Sequence, residues 1–152
     1  MLISSNLGMR LGALFAEFIA SILIVYFIAF TFGASLIEDL YNNLLFSILV
    51  ASIAFLPALI LVPHRNPYEL FIRVFVSRDF ENNTEEACMV VAYGCAIGAW
   101  FGCFVLPLDW DRWWQQWPLP CCFGALFGSL IAIVYFFIFR RWFLTQKKRR
   151  TM

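Results

Sequence analysis

The sequence predicts an all-α, polytopic membrane protein with about four transmembrane helices. Of its 152 residues, 62% are hydrophobic and 14% are charged, and the mean hydropathy is +0.79. Soluble domains are roughly half apolar and a quarter charged, so lipid is expected to surround most of this chain. Four apolar runs of about 20 residues, the length that crosses a bilayer, support the same fold class.

Spans one and two are predicted over residues 11–32 and 44–62, and a short polar segment connects them. Pro57 lies inside span two. Proline removes one backbone hydrogen bond and kinks a helix, which membrane helices tolerate when neighbouring groups satisfy the freed carbonyl. Both runs are continuously apolar, which favours helices over the alternating strands of a barrel.

Spans three and four are predicted over residues 87–106 and 119–139. In the loop between spans two and three, apolar residues of LFIRVFVS recur at helical spacing and predict a short interfacial helix, with a plain linker as the alternative. A basic tail occupies residues 140–152. The chain is therefore expected to be one membrane domain, residues 1–152.

The distribution of Lys and Arg predicts the orientation of the chain. With four spans, the N-terminus, the second loop and the tail share one side and carry ten of the 11 basic residues, whereas the other side carries only Arg112. Basic residues accumulate in cytoplasmic segments, so both termini are expected to be cytoplasmic. The segment PLDWDRWWQQWPLP, residues 107–120 and hereafter the tryptophan loop, is expected on the lumenal or external side. The net charge of +1 gives no reason to expect a nucleic-acid partner.

Glycines mark a predicted contact between spans three and four. Span three carries Gly94, Gly98 and Gly102 at four-residue spacing, and span four carries Gly124 and Gly128. Small residues let membrane helices approach closely, so the two spans are expected to form a tight hairpin. The alternative is that one of the two stripes faces another protein.

Glu17 lies about two turns inside span one, where an ionisable side chain is costly. Ala13, Ala20 and Ser21 share its helical face, which favours a buried packing contact with another helix. The alternative is a glutamate close enough to the cytoplasmic interface to stay hydrated.

The five cysteines lie in or at the ends of apolar runs, at Cys88, Cys95, Cys103, Cys121 and Cys122. No histidine is near them, so their spacing does not indicate a metal site. They are interpreted as small membrane-embedded side chains rather than disulfides or ligands. No cofactor is predicted.

The charged residues of the tryptophan loop are Asp109, Asp111 and Arg112. Two carboxylates could hold a cation or act as acid and base, whereas Asp109 and Arg112, three residues apart, could simply pair across a helical turn. The single histidine, His64, belongs to the second loop on the opposite side. Neither a catalytic residue nor a metal site is predicted.

Tryptophans are common anchors at a membrane interface. Anchoring explains Trp113, Trp114 and Trp117 but not the ordered Asp-Trp-Asp-Arg at residues 109–112.

The longer segment GAWFGCFVLPLDWDRWWQQWPLP resembles the signature of the PIG-F family of GPI-anchor biosynthesis, which carries GAW-G at a helix end followed by PLDW-[DE]-RPWQ-WP. GASLIED and RVFVS resemble two further family segments, GAPLIE and RVFS. The resemblance covers about residues 33–143. Trp113 and Ser35 stand where the family usually has proline, and relatives generally carry additional spans before the first span here.

The resemblance implies a non-catalytic, stabilising subunit in the endoplasmic-reticulum membrane, which supports ethanolamine phosphate addition to GPI mannose. The implied partner is a large catalytic subunit of a GPI ethanolamine phosphate transferase, of PIG-O or PIG-G type, with membrane lipid or a GPI intermediate as a further partner. The expected lumenal docking loop comprises Asp109, Trp110, Asp111, Arg112, Trp114, Gln115, Trp117 and Pro118. The alternative is a small membrane enzyme or lipid-headgroup-binding protein that uses Asp109, Asp111 and Arg112.

Overall fold

The computed structural model describes residues 2–34, 39–62, 80, 82–108 and 112–150, and the side chains among them from residue 11 to residue 139. Within this part of the chain every regular element is helical, which confirms the all-α prediction. The α-helices are α1 (Leu2–Thr31), α2 (Leu40–Ala54), α3 (Leu56–Leu61), α4 (Asn83–Cys103) and α5 (Leu119–Arg150), and a short 3-10 helix covers Trp113–Gln115.

Four stretches of these helices are long and apolar enough to cross a membrane, namely Leu11–Thr31, Leu40–Leu61, Asn83–Cys103 and Leu119–Phe139. They correspond to the four predicted spans. The predicted interfacial helix in the second loop lies outside the described residues.

Two helices begin four residues before the predicted spans because helical hydrogen bonding continues into polar sequence. In α2 the backbone N–H of Asn43 donates to the carbonyl of Asp39 at 2.9 Å. In α4 the first turn carries Glu85 and Glu86, where negative charge interacts favourably with the helix dipole. Hydropathy marks where the apolar run begins, which in both helices is one turn after the first helical residue.

The second membrane-crossing stretch is broken at Phe55, between α2 and α3. The N–H of Phe55 still donates to the carbonyl of Ala51 at 3.0 Å, and the N–H of Leu59 donates to the carbonyl of Phe55 at 3.0 Å. Pro57 stands in the first turn of α3, where its missing N–H breaks no intrahelical bond. The proline therefore divides one span into two helical segments.

Helices α4 and α5 form the most extensive contact of the fold, and α2 packs against α1 on one side and against α4 and α5 on the other. The centre of this arrangement contains small side chains that are fully buried, including Ala51, Cys95, Cys121 and Ala125. Large apolar side chains such as Phe127 and Ile131 are exposed instead. This pattern is expected when lipid is the solvent, because close helix packing in lipid selects small residues.

Candidate functional site

The two glycine stripes lie against each other in the α4–α5 hairpin. A Cβ atom built on Gly98 would overlap the carbonyl oxygen of Gly124 and lie 2.9 Å from the Cα of Gly128. A Cβ on Gly124 would in turn lie 2.9 Å from the carbonyl carbon of Gly98. The two backbones are therefore in direct contact, and neither stripe is left open to a partner.

The close approach extends to the loop end of the hairpin. A Cβ on Gly102 would lie 2.7 Å from the Cα of Cys121 and 2.7 Å from the carbonyl carbon of Pro120. The start of α5 is thus held against the end of α4, and the tryptophan loop rises from a narrow base.

Gln115 joins the tryptophan loop to the turn that follows α4. Its side chain is 9% exposed, and its Nε2 donates a hydrogen bond of 2.9 Å to the carbonyl of Val105. Its Oε1 is buried and accepts no hydrogen bond from the described residues. An unpaired buried carbonyl lowers the stability of the fold. The hydrogen bond to Val105 and the packing of the side chain hold Gln115 in place despite this cost.

Trp117 joins the loop to α2. Its Nε1 donates a hydrogen bond of 2.6 Å to Oδ1 of Asn43, and its ring packs on Phe46 with centroids 5.2 Å apart. Asn43 is 2% exposed and lies in the first turn of α2. This contact links residues that are 74 positions apart and fixes the loop relative to the centre of the bundle.

Sequence reasoning missed Asn43, which directly precedes predicted span two. The available signal is a side-chain amide at the edge of a long apolar run, where a polar group needs a hydrogen-bond partner once it is buried. The identity of that partner depends on which helix end lies beside it.

The predicted docking residues differ in how far they are buried. Gln115 and Pro118 are buried, Trp114 and Trp117 are half-buried, and Arg112 is exposed. Asp109, Trp110 and Asp111 lie outside the described residues. The described part of the site is thus the base of the loop, and the predicted carboxylate pair is not part of it.

Glu17 does not belong to this site. It is half-buried in α1, and Ser21, one turn further, is buried. Thr31 ends α1 near the site, fourteen residues from Glu17, which corresponds to about 21 Å along a helix axis.

An apolar groove with a volume of about 980 Å³ lies between α1 and α4 and has α2 as its floor. Val25 and Ala29 line one wall, Ala96 and Ala99 the other, and Val50 the floor. The groove reaches Asp39 and Trp117 at the loop end of the bundle. The sequence contains no signal for it, because the groove results from the relative placement of three helices.

Over the residues that the structure describes, no group of three or more His, Cys, Asp or Glu side chains is placed to hold a metal ion. The side-chain hydrogen bonds at the base of the tryptophan loop join Gln115 to the carbonyl of Val105 and Trp117 to Asn43. The arrangement positions a loop, and its described contacts are structural.

Comparison with known proteins shows which family the chain resembles. The model of the GPI biosynthesis protein family Pig-F matches residues 2–136. The chain is similar to the GPI ethanolamine phosphate transferase, stabilizing subunit, of Mus musculus, with 31% identity over 134 residues, 88% of this chain and 59% of the relative.

Two fungal relatives are both named glycosylphosphatidylinositol anchor biosynthesis protein 11. The one from Debaryomyces hansenii is 34% identical over 110 residues, 71% of this chain and 45% of the relative. The one from Kluyveromyces lactis is 63% identical over 36 residues, 24% of this chain and 17% of the relative. The chain spans about half the length of the mouse, human and Debaryomyces hansenii relatives. No solved structure matches the chain.

Proposed function

Because the chain belongs to the GPI biosynthesis protein family Pig-F, we propose that it is a non-catalytic, stabilising membrane subunit of a GPI ethanolamine phosphate transferase. In this role it supports ethanolamine phosphate addition to GPI mannose in the endoplasmic reticulum. The mouse relative, which is named a stabilizing subunit of that transferase, supports the role. The ten-to-one distribution of basic residues supports cytoplasmic termini and a lumenal tryptophan loop.

The observation that carries the proposal is the hydrogen bond from Trp117 to Asn43. Together with the bond from Gln115 to Val105, it fixes the base of the tryptophan loop on α2 and on the turn that follows α4. A binding segment that is already ordered loses less conformational freedom on association than a mobile one. The loop is therefore suited to docking at the junction between the membrane and a lumenal domain.

The partner in this proposal is a large catalytic subunit of PIG-O or PIG-G type, together with membrane lipid or a GPI intermediate. Asp109, Asp111 and Arg112 supply polar contacts to this partner, and Trp110 and Trp114 hold the loop at membrane depth. Arg112 is exposed, which leaves its guanidinium accessible to a carboxylate or phosphate.

The glycine stripes of α4 and α5 are engaged with each other. The partner's membrane helices therefore bind other lipid-facing surfaces of the chain, and the tryptophan loop provides the contact above them. Glu17, near the middle of α1, contributes to packing within the membrane.

Co-purification with a tagged catalytic subunit tests the proposal. Trp117→Phe keeps a large ring but deletes the donor to Asn43, and we expect the fraction of chain that is recovered with the partner to fall. Trp113→Phe is the matched control, because Trp113 is 72% exposed. Recovery of the control should equal that of the unmodified chain.

A double variant, Asp109→Ala with Arg112→Ala, examines the polar contacts. We expect it to weaken association while the chain itself stays abundant in the membrane. If association with the catalytic subunit and the abundance of that subunit are both unchanged, the loop has no docking role. Turnover or binding of a GPI intermediate by the purified chain alone would favour the alternative, a small enzyme or headgroup-binding protein that uses Asp109, Asp111 and Arg112.

A further inference from the structure

Two of the five cysteines meet at the base of the tryptophan loop. Cys103 is the last residue of α4, and Cys121 lies in the first turn of α5. Their Sγ atoms are 3.2 Å apart. Sequence alone favours five unpaired apolar cysteines, because it contains no information on which of them are neighbours in space.

The short distance between the two sulfur atoms and the close approach of the two helices at this level favour a covalent bond between these residues. A disulfide needs Cα atoms about 4.4–6.8 Å apart and sulfur atoms about 2.0 Å apart. The Cβ position of Gly102, the neighbour of Cys103, lies 2.7 Å from the Cα of Cys121. The end of α4 and the start of α5 therefore already lie side by side at this level. The sulfur atoms would move closer by about 1.2 Å, from 3.2 Å to the bonded distance. Side-chain rotation supplies a displacement of this size.

We propose that Cys103 and Cys121 form a disulfide that closes the tryptophan loop at its base. In the proposed orientation this end of the hairpin faces the endoplasmic-reticulum lumen, an oxidising compartment in which disulfides persist. The bond encloses residues 104–120, which include Gln115 and Trp117. The inference rests on the lumenal placement of the loop but not on the identity of the partner.

The difference in burial between the two thiols sets the order of the reaction. Cys121 is fully buried, whereas Cys103 is partly exposed. Cys103 loses its proton and attacks the disulfide of a lumenal thiol–disulfide oxidoreductase, which releases one oxidoreductase thiolate and leaves a mixed disulfide.

Cys121 completes the exchange. It loses its proton and attacks the Cys103 sulfur, and the second oxidoreductase thiolate leaves. Two electrons and two protons thus pass from the cysteine pair to the oxidoreductase, which is reduced to a dithiol.

The test counts thiols in the full chain recovered from microsomal membranes. Free thiols are blocked with N-ethylmaleimide in SDS, so that burial does not protect them. The sample is then reduced and labelled with a maleimide of high mass. We expect two labels per chain after reduction and none without it. Mass spectrometry of the unreduced chain should show one cross-linked pair of peptides that contain Cys103 and Cys121.

Single substitutions identify the pair. Cys103→Ser and Cys121→Ser should each abolish both reduction-dependent labels. Cys95→Ser and Cys122→Ser are matched controls in the same two helices, and both should retain the two labels. Five thiols blocked before reduction, or a bond that involves Cys122 in place of Cys121, would overturn the proposal.

An N-glycosylation acceptor site inserted after Leu108 reports the side of the membrane independently. Glycosylation together with five free thiols would refute the disulfide and leave the proposed orientation standing. An unmodified acceptor with five free thiols would refute the disulfide and give no support to a lumenal loop. A glycosylated loop with the expected cross-link supports both.

Discussion

Replacement of Gly98 by alanine tests whether the hairpin depends on backbone contact. The new Cβ would overlap the carbonyl oxygen of Gly124 and lie 2.9 Å from the Cα of Gly128, whereas ordinary contact begins at 3.4 Å. Backbone atoms cannot rotate away as a side chain can, so the helices must separate by at least 0.5 Å, the difference between these two distances.

The expected loss of folding stability in Gly98→Ala follows from two opposing effects. Overpacking of a tight contact costs about 3 kcal/mol at the upper end of its usual range, and the higher helix propensity of alanine offsets about 1 kcal/mol of it. The net loss is about 2 kcal/mol. At about 2–4 °C per kcal/mol for a chain near this size, the thermal midpoint should fall by about 4–8 °C.

The assay is the monodisperse fraction of the detergent-solubilised chain after heating, measured by fluorescence-detected size-exclusion chromatography. Gly12→Ala is the matched control, because a Cβ at Gly12 has no neighbouring atom within 4 Å. Its midpoint should stay the same or rise slightly, since helix propensity improves. Equal midpoints for Gly98→Ala and Gly12→Ala would refute the argument that direct backbone contact holds the hairpin.

Two further substitutions are measured by the same heating assay. Asn43→Leu removes the acceptor of the Trp117 indole N–H and should lower the free energy of unfolding by about 1–3 kcal/mol. The indole fluorescence should shift as well. An unchanged midpoint and spectrum would show that the bond is dispensable. Gly33→Ala should lower stability by about 1–3 kcal/mol through backbone strain alone, because φ is +101° and nothing lies within 4 Å of the new Cβ. A neutral result at Gly33 would mean that the turn adjusts its backbone.

The four spans follow from composition because a run of about 20 apolar residues has few stable alternatives to a membrane helix. The helix ends are less predictable. The polar residues Asn43 and Glu85 extend α2 and α4 beyond the apolar runs, since helical hydrogen bonds do not stop where hydrophobicity does. Pro57 predicts a kink, and the structure shows an actual break at Phe55.

The base of the tryptophan loop is predictable only in part. The four-residue glycine spacing indicates a close helix contact, but it does not say that Gly98 meets Gly124. The hydrogen bond between Trp117 and Asn43 joins distant parts of the chain, so it requires knowledge that α2 lies beside the hairpin. The same is true of the distance between the Cys103 and Cys121 sulfur atoms. The roles of Asp109, Trp110 and Asp111 stay predictions.

The break at Phe55 has a mechanical consequence for the groove between α1 and α4. Ala54 and Phe55 line the groove, so the interruption lies in the groove itself. Because Pro57 has no N–H, it breaks no bond within α3 but cannot donate across the break to the end of α2, so the two segments are joined by fewer backbone hydrogen bonds than a continuous helix would have. A change of angle at this point moves α3 relative to α2 and displaces Phe55, which lines the groove. The groove is thus lined in part by the break in the second span rather than by one continuous helix.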